Sequence, residues 1–100
     1  MAMLEIRQTE EFELWLKALR DRVARAKILI RIERLALGNP GDAKPVGGRI
    51  SEMRIDHGPG YRVYCTRRGS ALVILLCAGD ESTQRRDIAR AKAIAAELED

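Results

Sequence analysis

Apolar residues change their period along this chain, and the changes divide it into elements. Leu4-Glu5-Ile6-Arg7 alternates, which predicts a short strand. Thr9 follows as a helix N-cap, with Glu10 and Glu11 in the first turn, where the helix dipole favours anions. Phe12, Trp15, Leu16 and Leu19 recur at i, i+3, i+4, i+7, an apolar stripe for a first helix that makes Trp15 a core residue. Asp21 caps a second helix running to about Leu37 and ended by Gly38-Asn39-Pro40-Gly41. Ile28, Leu29, Ile32 and Ala36 share one of its sides; Arg20, Lys27, Arg31 and Arg34 share the opposite one, a solvated face. A tight turn joins the two helices into an αα-hairpin with an apolar face to cover.

The period then falls to two. Residues 49–56, 61–67 and 71–78 read as three strands, separated by Asp56-His57-Gly58-Pro59-Gly60 and Arg68-Gly69-Ser70. Connections this short force antiparallel neighbours. The run Ala71-Leu72-Val73-Ile74-Leu75-Leu76-Cys77 is apolar without alternation, so it is expected to be a central strand covered on both faces. Ser82 or Thr83 caps a last helix over 84–100, with Ile88, Ala91, Ala95 and Leu98 at i, i+3, i+7, i+10. The expected fold is α+β, in the order β-α-α-β-β-β-α: one domain over 1–100 in which a helical hairpin and a C-terminal helix cover an antiparallel twisted sheet.

Composition narrows the class. One hundred residues with 46% hydrophobic and 33% charged positions describe an ordinary single-core globular chain rather than a disordered one. No apolar run approaches the roughly 20 residues of a bilayer span, and acid and base interrupt the N-terminus where a secretory signal needs an apolar core. A cytoplasmic protein without a membrane partner is expected. Cys65 and Cys77 lie inside apolar runs and read as small hydrophobes; with one histidine they make no recognisable metal site. Lys and Arg total 18 against 15 acids, for a net charge of +3, and the excess is localised. Lys44, Arg49, Arg54, Arg62, Arg67 and Arg68 face only Glu52 and Asp56 over 44–68, whereas 80–100 is net acidic. A basic middle fits nucleic acid or an acidic protein partner, and arginine's planar fork suits phosphate.

The candidate chemistry follows from strand register. If the loop centred on Gly58 closes its hairpin symmetrically, Arg54 faces Arg62, Met53 faces Val63 and Glu52 faces Tyr64. Alternation then puts Met53, Ile55, Val63 and Cys65 on the core side, and Glu52, Arg54, Arg62 and Tyr64 together on the other. Two arginines placed opposite each other repel by up to about 1 kcal/mol, and an anion held between them relieves the repulsion. That makes the pair a phosphate site, beside which Tyr64 can stack on a base or handle a proton. The other outcome is that Glu52 neutralises one arginine and leaves an ion-pair ladder. Lys44 and Arg49 flank a flexible Pro45-Val46-Gly47-Gly48 stretch that can lie along a phosphate backbone. His57 reads as a solvated turn residue, and Asp80-Glu81-Ser82-Thr83-Gln84 as a strand-to-helix corner. No Gly-rich phosphate loop, triad or paired carboxylate points to nucleotide hydrolysis or a metal-dependent nuclease.

The run from Ile50 through Arg54, Gly58-Pro59-Gly60-Tyr61-Arg62 and Tyr64 resembles the RelE/ParE toxin superfamily. With Leu75 through Gly79-Asp80-Glu81-Ser82-Thr83-Gln84, Ile88 and Lys92, the resemblance is closer to the HigB-like addiction-module killer proteins. It covers nearly the whole chain. The resemblance implies the toxin of a type II toxin–antitoxin system: a ribosome-dependent, metal-independent mRNA endonuclease that inhibits translation, in which the RNA 2′-hydroxyl attacks the neighbouring phosphate. No cofactor is implied. Arg62 matches the phosphate-stabilising arginine and Arg54 a basic position on the preceding strand; with Tyr64 they form the expected catalytic set. Lys44, Arg49, Arg67 and Arg68 are the expected RNA-binding surface. Glu81 departs from the subgroup, which usually has lysine there, and the superfamily's later tyrosine has no counterpart. A ParE-like DNA gyrase inhibitor, acting by binding alone, is the alternative. Expected partners are the ribosome with its mRNA and a cognate antitoxin of helix-turn-helix type, through which alone operator DNA is met. Such an antitoxin is expected to cover 84–100 or to lie against the first two helices.

Overall fold

A computed structural model describes residues 3–98. The chain forms β1 (Glu5–Gln8), α1 (Glu10–Ala18), α2 (Arg22–Ala36), β2 (Ala43–Gly47), β3 (Ile50–Ile55), β4 (Tyr61–Arg68), β5 (Leu72–Asp80), a 3-10 turn (Glu81–Thr83) and α3 (Gln84–Glu97). Both expected helix starts are capped by side chains. Thr9 Oγ1 accepts from the Phe12 amide at 3.0 Å and donates to the Leu76 carbonyl at 2.7 Å, so one hydroxyl starts α1 and fastens it to β5. Asp21 Oδ1 accepts from the Ala24 amide at 3.0 Å, and its Oδ2 lies 3.0 Å from His57 Nε2. His57 thereby ties the β3–β4 loop to the start of α2 rather than standing free in solvent.

The five strands form one sheet in the order β1-β5-β4-β3-β2. The sheet is mixed, which corrects the antiparallel expectation: β1 runs parallel to β5, with Ile6 opposite Val73. Short connections dictate direction only for consecutive strands, and β1 meets β5 across most of the chain. The middle position belongs to β4; β5 sits beside it and is covered on both faces, as its unbroken apolar run requires.

A fifth strand, β2, stands where a flexible stretch was expected. It pairs antiparallel with β3, Lys44 opposite Glu52. Gly47 and Gly48 take positive φ and Arg49 follows at φ 63°, so the reversal into β3 runs through left-handed backbone that two glycines adopt freely. Arg49 bears a strain of roughly 1–2 kcal/mol there, and Thr66 Oγ1 donates to its carbonyl at 3.0 Å. Pro45, lacking an N–H, suits the outer edge of a sheet.

Helices cover opposite faces of the sheet. On one, Phe12, Ile28 and Leu35 pack on Met53, Ile55, Val63, Cys65, Val73 and Leu75, with Trp15 stacked beside Phe12 and edge-on to Tyr61. On the other, Ala91, Ile94 and Ala95 of α3 pack on Ile50, Tyr64, Leu76 and Cys77. The two cysteines are thus buried on separate faces as small hydrophobes. On α2 the buried row is Ala24, Ile28 and Leu35, and Leu29 points outward. Arg31 leaves its expected solvated row: its guanidinium donates to the Arg54, Pro40 and Asp42 carbonyls, tethering the approach to β2.

Thr83 stands at the N-cap position of α3, as expected, but without a side-chain cap bond; Asp80 caps the 3-10 turn before it, accepting from the Ser82 amide at 2.8 Å. Thr83 Oγ1 instead donates to the buried Asp87 carboxylate at 2.5 Å, in space that Gly79 leaves open. A Cβ on residue 79 would lie 1.9 Å from Asp87 Oδ2. Gly79→Ala is therefore expected to cost about 3 kcal/mol, read as a lowered urea midpoint for unfolding.

Candidate functional site: an arginine-lined hollow over a buried glutamate

The β3–β4 register is the expected one: Arg54 is opposite Arg62, Met53 opposite Val63 and Glu52 opposite Tyr64. Glu52, Arg54, Arg62 and Tyr64 do share the far face of the sheet. That face is not open along its length, because α3 lies across half of it. Glu52 and Tyr64 have no exposed surface, Arg62 keeps 6%, and Arg54 alone of the four is exposed. Proximity to α3 grades the four side chains from solvent into the core.

Glu52 is the hub of the buried part. One carboxylate oxygen accepts from the Tyr64 hydroxyl at 3.0 Å and from Gln84 Nε2 at 2.8 Å. The other lies 3.4 Å from Arg62 Nη1 and 4.0 Å from Lys44 Nζ. Four elements, β2, β3, β4 and α3, thus converge on one charge. The Glu52 alternative raised by the pattern is realised for Arg62, but as a buried network and not a solvated ladder. Tyr64 meets no solvent and donates its proton to Glu52. Burial and the Glu52 charge push its ionisation well above the ordinary tyrosine range. Tyr64, expected beside the arginines as a group that stacks on a base or handles a proton, lies instead wholly inside the buried network.

Arg62 also faces outward. With Arg54 it lines a hollow of about 310 Å³ whose other walls are Asp42, Asp56, Tyr61 and Glu81. Arg62 Nε is buried and has no hydrogen-bond partner, an unsatisfied donor of the kind that a bound anion or water completes. The hollow therefore carries both signs, the guanidinium groups of Arg54 and Arg62 and the carboxylates of Asp42, Asp56 and Glu81.

The remaining expected basic residues divide. Arg49 and Arg67 are exposed at the opposite end of the β3–β4 ladder, about 17 Å along the strand from Arg54, and line a separate cleft of about 300 Å³ floored by Met53, Cys65 and Val73. Arg68 is engaged elsewhere, donating to the Leu98 and Ala95 carbonyls at 3.2 and 3.1 Å. It satisfies the C-terminus of α3, where a cation also meets the negative end of the helix dipole. Lys44 leans toward Glu52. Sequence reasoning missed Gln84 as the α3 contact of this network. Its only signal was position, the first residue of a helix following an Asp-x-Ser-Thr turn.

Comparison with known proteins places the chain. Residues 14–98 match the family described as Phage derived protein Gp49-like (DUF891). An uncharacterised protein of Haemophilus influenzae (strain ATCC 51907 / DSM 11121 / KW20 / Rd) is 52% identical over 95 residues, covering 95% of this chain and 96% of that protein. The chain belongs to the Gp49-like family, a RelE-like family associated with toxin–antitoxin systems.

Two stability outcomes follow from this geometry. Glu52→Ala leaves Arg62 buried without its counter-charge and is expected to cost about 3–5 kcal/mol, while Arg54→Ala, on the exposed side, stays within about 0.5 kcal/mol; urea titration of both variants checks the contrast. Burial also raises the Cys65 thiol to about 11 and the Cys77 thiol to about 12. For these thiols and Tyr64 the folded state favours the protonated form, so their stabilisation is complete below the unfolded values, about 8.5 for Cys and 10 for Tyr, and is lost as pH rises beyond them. Urea midpoints are expected to fall above about pH 9, and both thiols to resist a disulfide reagent in the native protein near pH 8.

Proposed function

We propose that this protein is the toxin of a type II toxin–antitoxin pair, HigB-like within its superfamily and of RelE-like fold, and that it cleaves mRNA on the ribosome in the cytoplasm. The observation that carries the reading is the pairing of Arg54 with Arg62 on one hollow, with a buried Arg62 donor left unpartnered. RNA brings its own nucleophile. The 2′-hydroxyl attacks the adjacent phosphorus, the O5′ bond breaks, and a cyclic 2′,3′-phosphate and a 5′-hydroxyl result. Negative charge gathers on the non-bridging oxygens along that path. Arg62, already paired with Glu52, and Arg54, free on the neighbouring strand, stabilise it, an effect worth about 10²–10³ in rate for a single donor. With Tyr64 sequestered, Glu81, Asp42 and Asp56 are the groups of the hollow that can relay the 2′-hydroxyl proton. Arg49 and Arg67 extend the RNA-facing charge, neutralising backbone phosphates away from the hollow.

Gyrase inhibition by binding alone is the second reading. It is favoured by the burial of Tyr64 and by a carboxylate, Glu81, on the hollow. Because Arg54 is exposed, Arg54→Ala separates the readings without unfolding the chain. In a translating extract the variant is expected to cleave message about 100-fold more slowly, with its melting temperature unchanged. Equal cleavage by both proteins overturns the phosphate role of the hollow. Growth arrest with a DNA-damage response and intact message selects gyrase.

A further inference from the structure

Helix α2 is apolar on two opposite sides. Ala24, Ile28 and Leu35 face the sheet, yet Val23, Ile30 and the C-cap residue Leu37 are 54%, 45% and 59% exposed. These three recur every seven residues, with exposed Ala26 between them and Leu29, 45% exposed, beside them. Single exposed aliphatics are ordinary on a surface; a line of them at heptad spacing is the seam of a helix–helix contact. Among the described residues no element covers it.

Charge decides what does. Lys27 and Arg34, each four residues beyond a seam residue, run along one flank, and both are exposed. Among the described residues no carboxylate lies within ion-pair distance of either. Glu33, three residues after Ile30, takes the seam position that Ala26 holds one repeat earlier, so the apolar line is interrupted there by a single exposed carboxylate. A second copy of this chain is a poor occupant. Two α2 helices packed antiparallel across the seam set Lys27 and Arg34 against the same cations, and packed parallel they set Lys27 against Arg22. Both arrangements place like charges side by side.

We infer that the Val23–Ile30–Leu37 seam of α2 is the docking surface for an amphipathic helix of a partner protein, with carboxylates facing Lys27 and Arg34. The surface lies on the outside of the helical hairpin and shares none of its residues with the Arg54–Arg62 hollow, so it stands or falls separately from the nuclease reading. It also selects between the two expected places for a neutralising partner, favouring the N-terminal helices over α3.

The test uses the full chain and a labelled synthetic helical peptide of about three heptads, leucine along its seam and glutamate on its flanks, with a twin carrying lysine for glutamate. Saturable anisotropy is expected for the acidic peptide, with the basic twin at least about tenfold weaker. Lys27→Glu/Arg34→Glu is expected to reverse that preference. Ile30→Ser is expected to weaken the acidic peptide at least about tenfold, with melting temperature and message cleavage unchanged. Absence of saturable binding, equal affinity for the twins, or indifference to Ile30→Ser overturns the inference. So does self-association of the chain that Ile30→Ser abolishes, which assigns the seam to a second copy, as do amide shifts induced by the peptide on α3 or the hollow instead of α2.

Discussion

A carboxylate buried away from water must be paired and hydrogen-bonded or it unfolds its surroundings, and Glu52 obliges four elements to meet that requirement. Tyr64 and Gln84 supply hydrogen bonds, Arg62 and Lys44 positive charge. The Tyr64 and Gln84 bonds require β4 beside β3 in one register and α3 starting at one height above the sheet. A slip of one residue in the β3–β4 ladder would turn Glu52 toward Phe12 and Val63 and leave its charge in hydrocarbon. The network therefore specifies the arrangement as well as contributing to stability.

The same network sets the chemistry of the hollow. Arg62 is buried and paired with Glu52, while Arg54, with no such partner, stands in solvent on the neighbouring strand. One guanidinium is thus buried and paired and the other exposed. Three carboxylates beside two guanidinium groups keep the hollow from being a simple basic patch. Gly79, opposite Arg62 on β5, and the Thr83–Asp87 contact hold the base of α3 against this corner. The geometry of the site and the attachment of α3 are thus one structural problem.

Arginine, abundant in this chain, is used in several physically distinct ways, one of them the surface ion pair of Arg90 with Glu11. Arg31 and Arg68 donate to backbone carbonyls, closing the α2–β2 connection and the end of α3. Arg62 pairs with a buried charge. Arg54, Arg49 and Arg67 remain on the surface, Arg67 also donating to the Ser70 carbonyl at 2.8 Å. A count of basic residues over the middle of the chain merges these groups. Only the pair Arg31 and Arg68 is legible as structural, and only once the carbonyls it meets are in place.

Local sequence settled whatever depends on neighbours in the chain. Thr9 and Asp21 cap helices because their side chains reach amides three residues on, and a five-residue loop with period-two strands fixes Arg54 opposite Arg62. Both are short-range geometry. The parallel pairing of β1 with β5, the edge strand β2 hidden in a Pro-Gly stretch, and the face chosen by α3 depend on contacts between residues tens of positions apart. No local period encodes such contacts. That last choice carried the largest consequence. By closing over Glu52 and Tyr64 and stopping short of Arg54, α3 turned four side chains on one face of the sheet into a buried network with a hollow at its edge, because burial of a helix's apolar side is decided by the whole core and not by the strands beneath it.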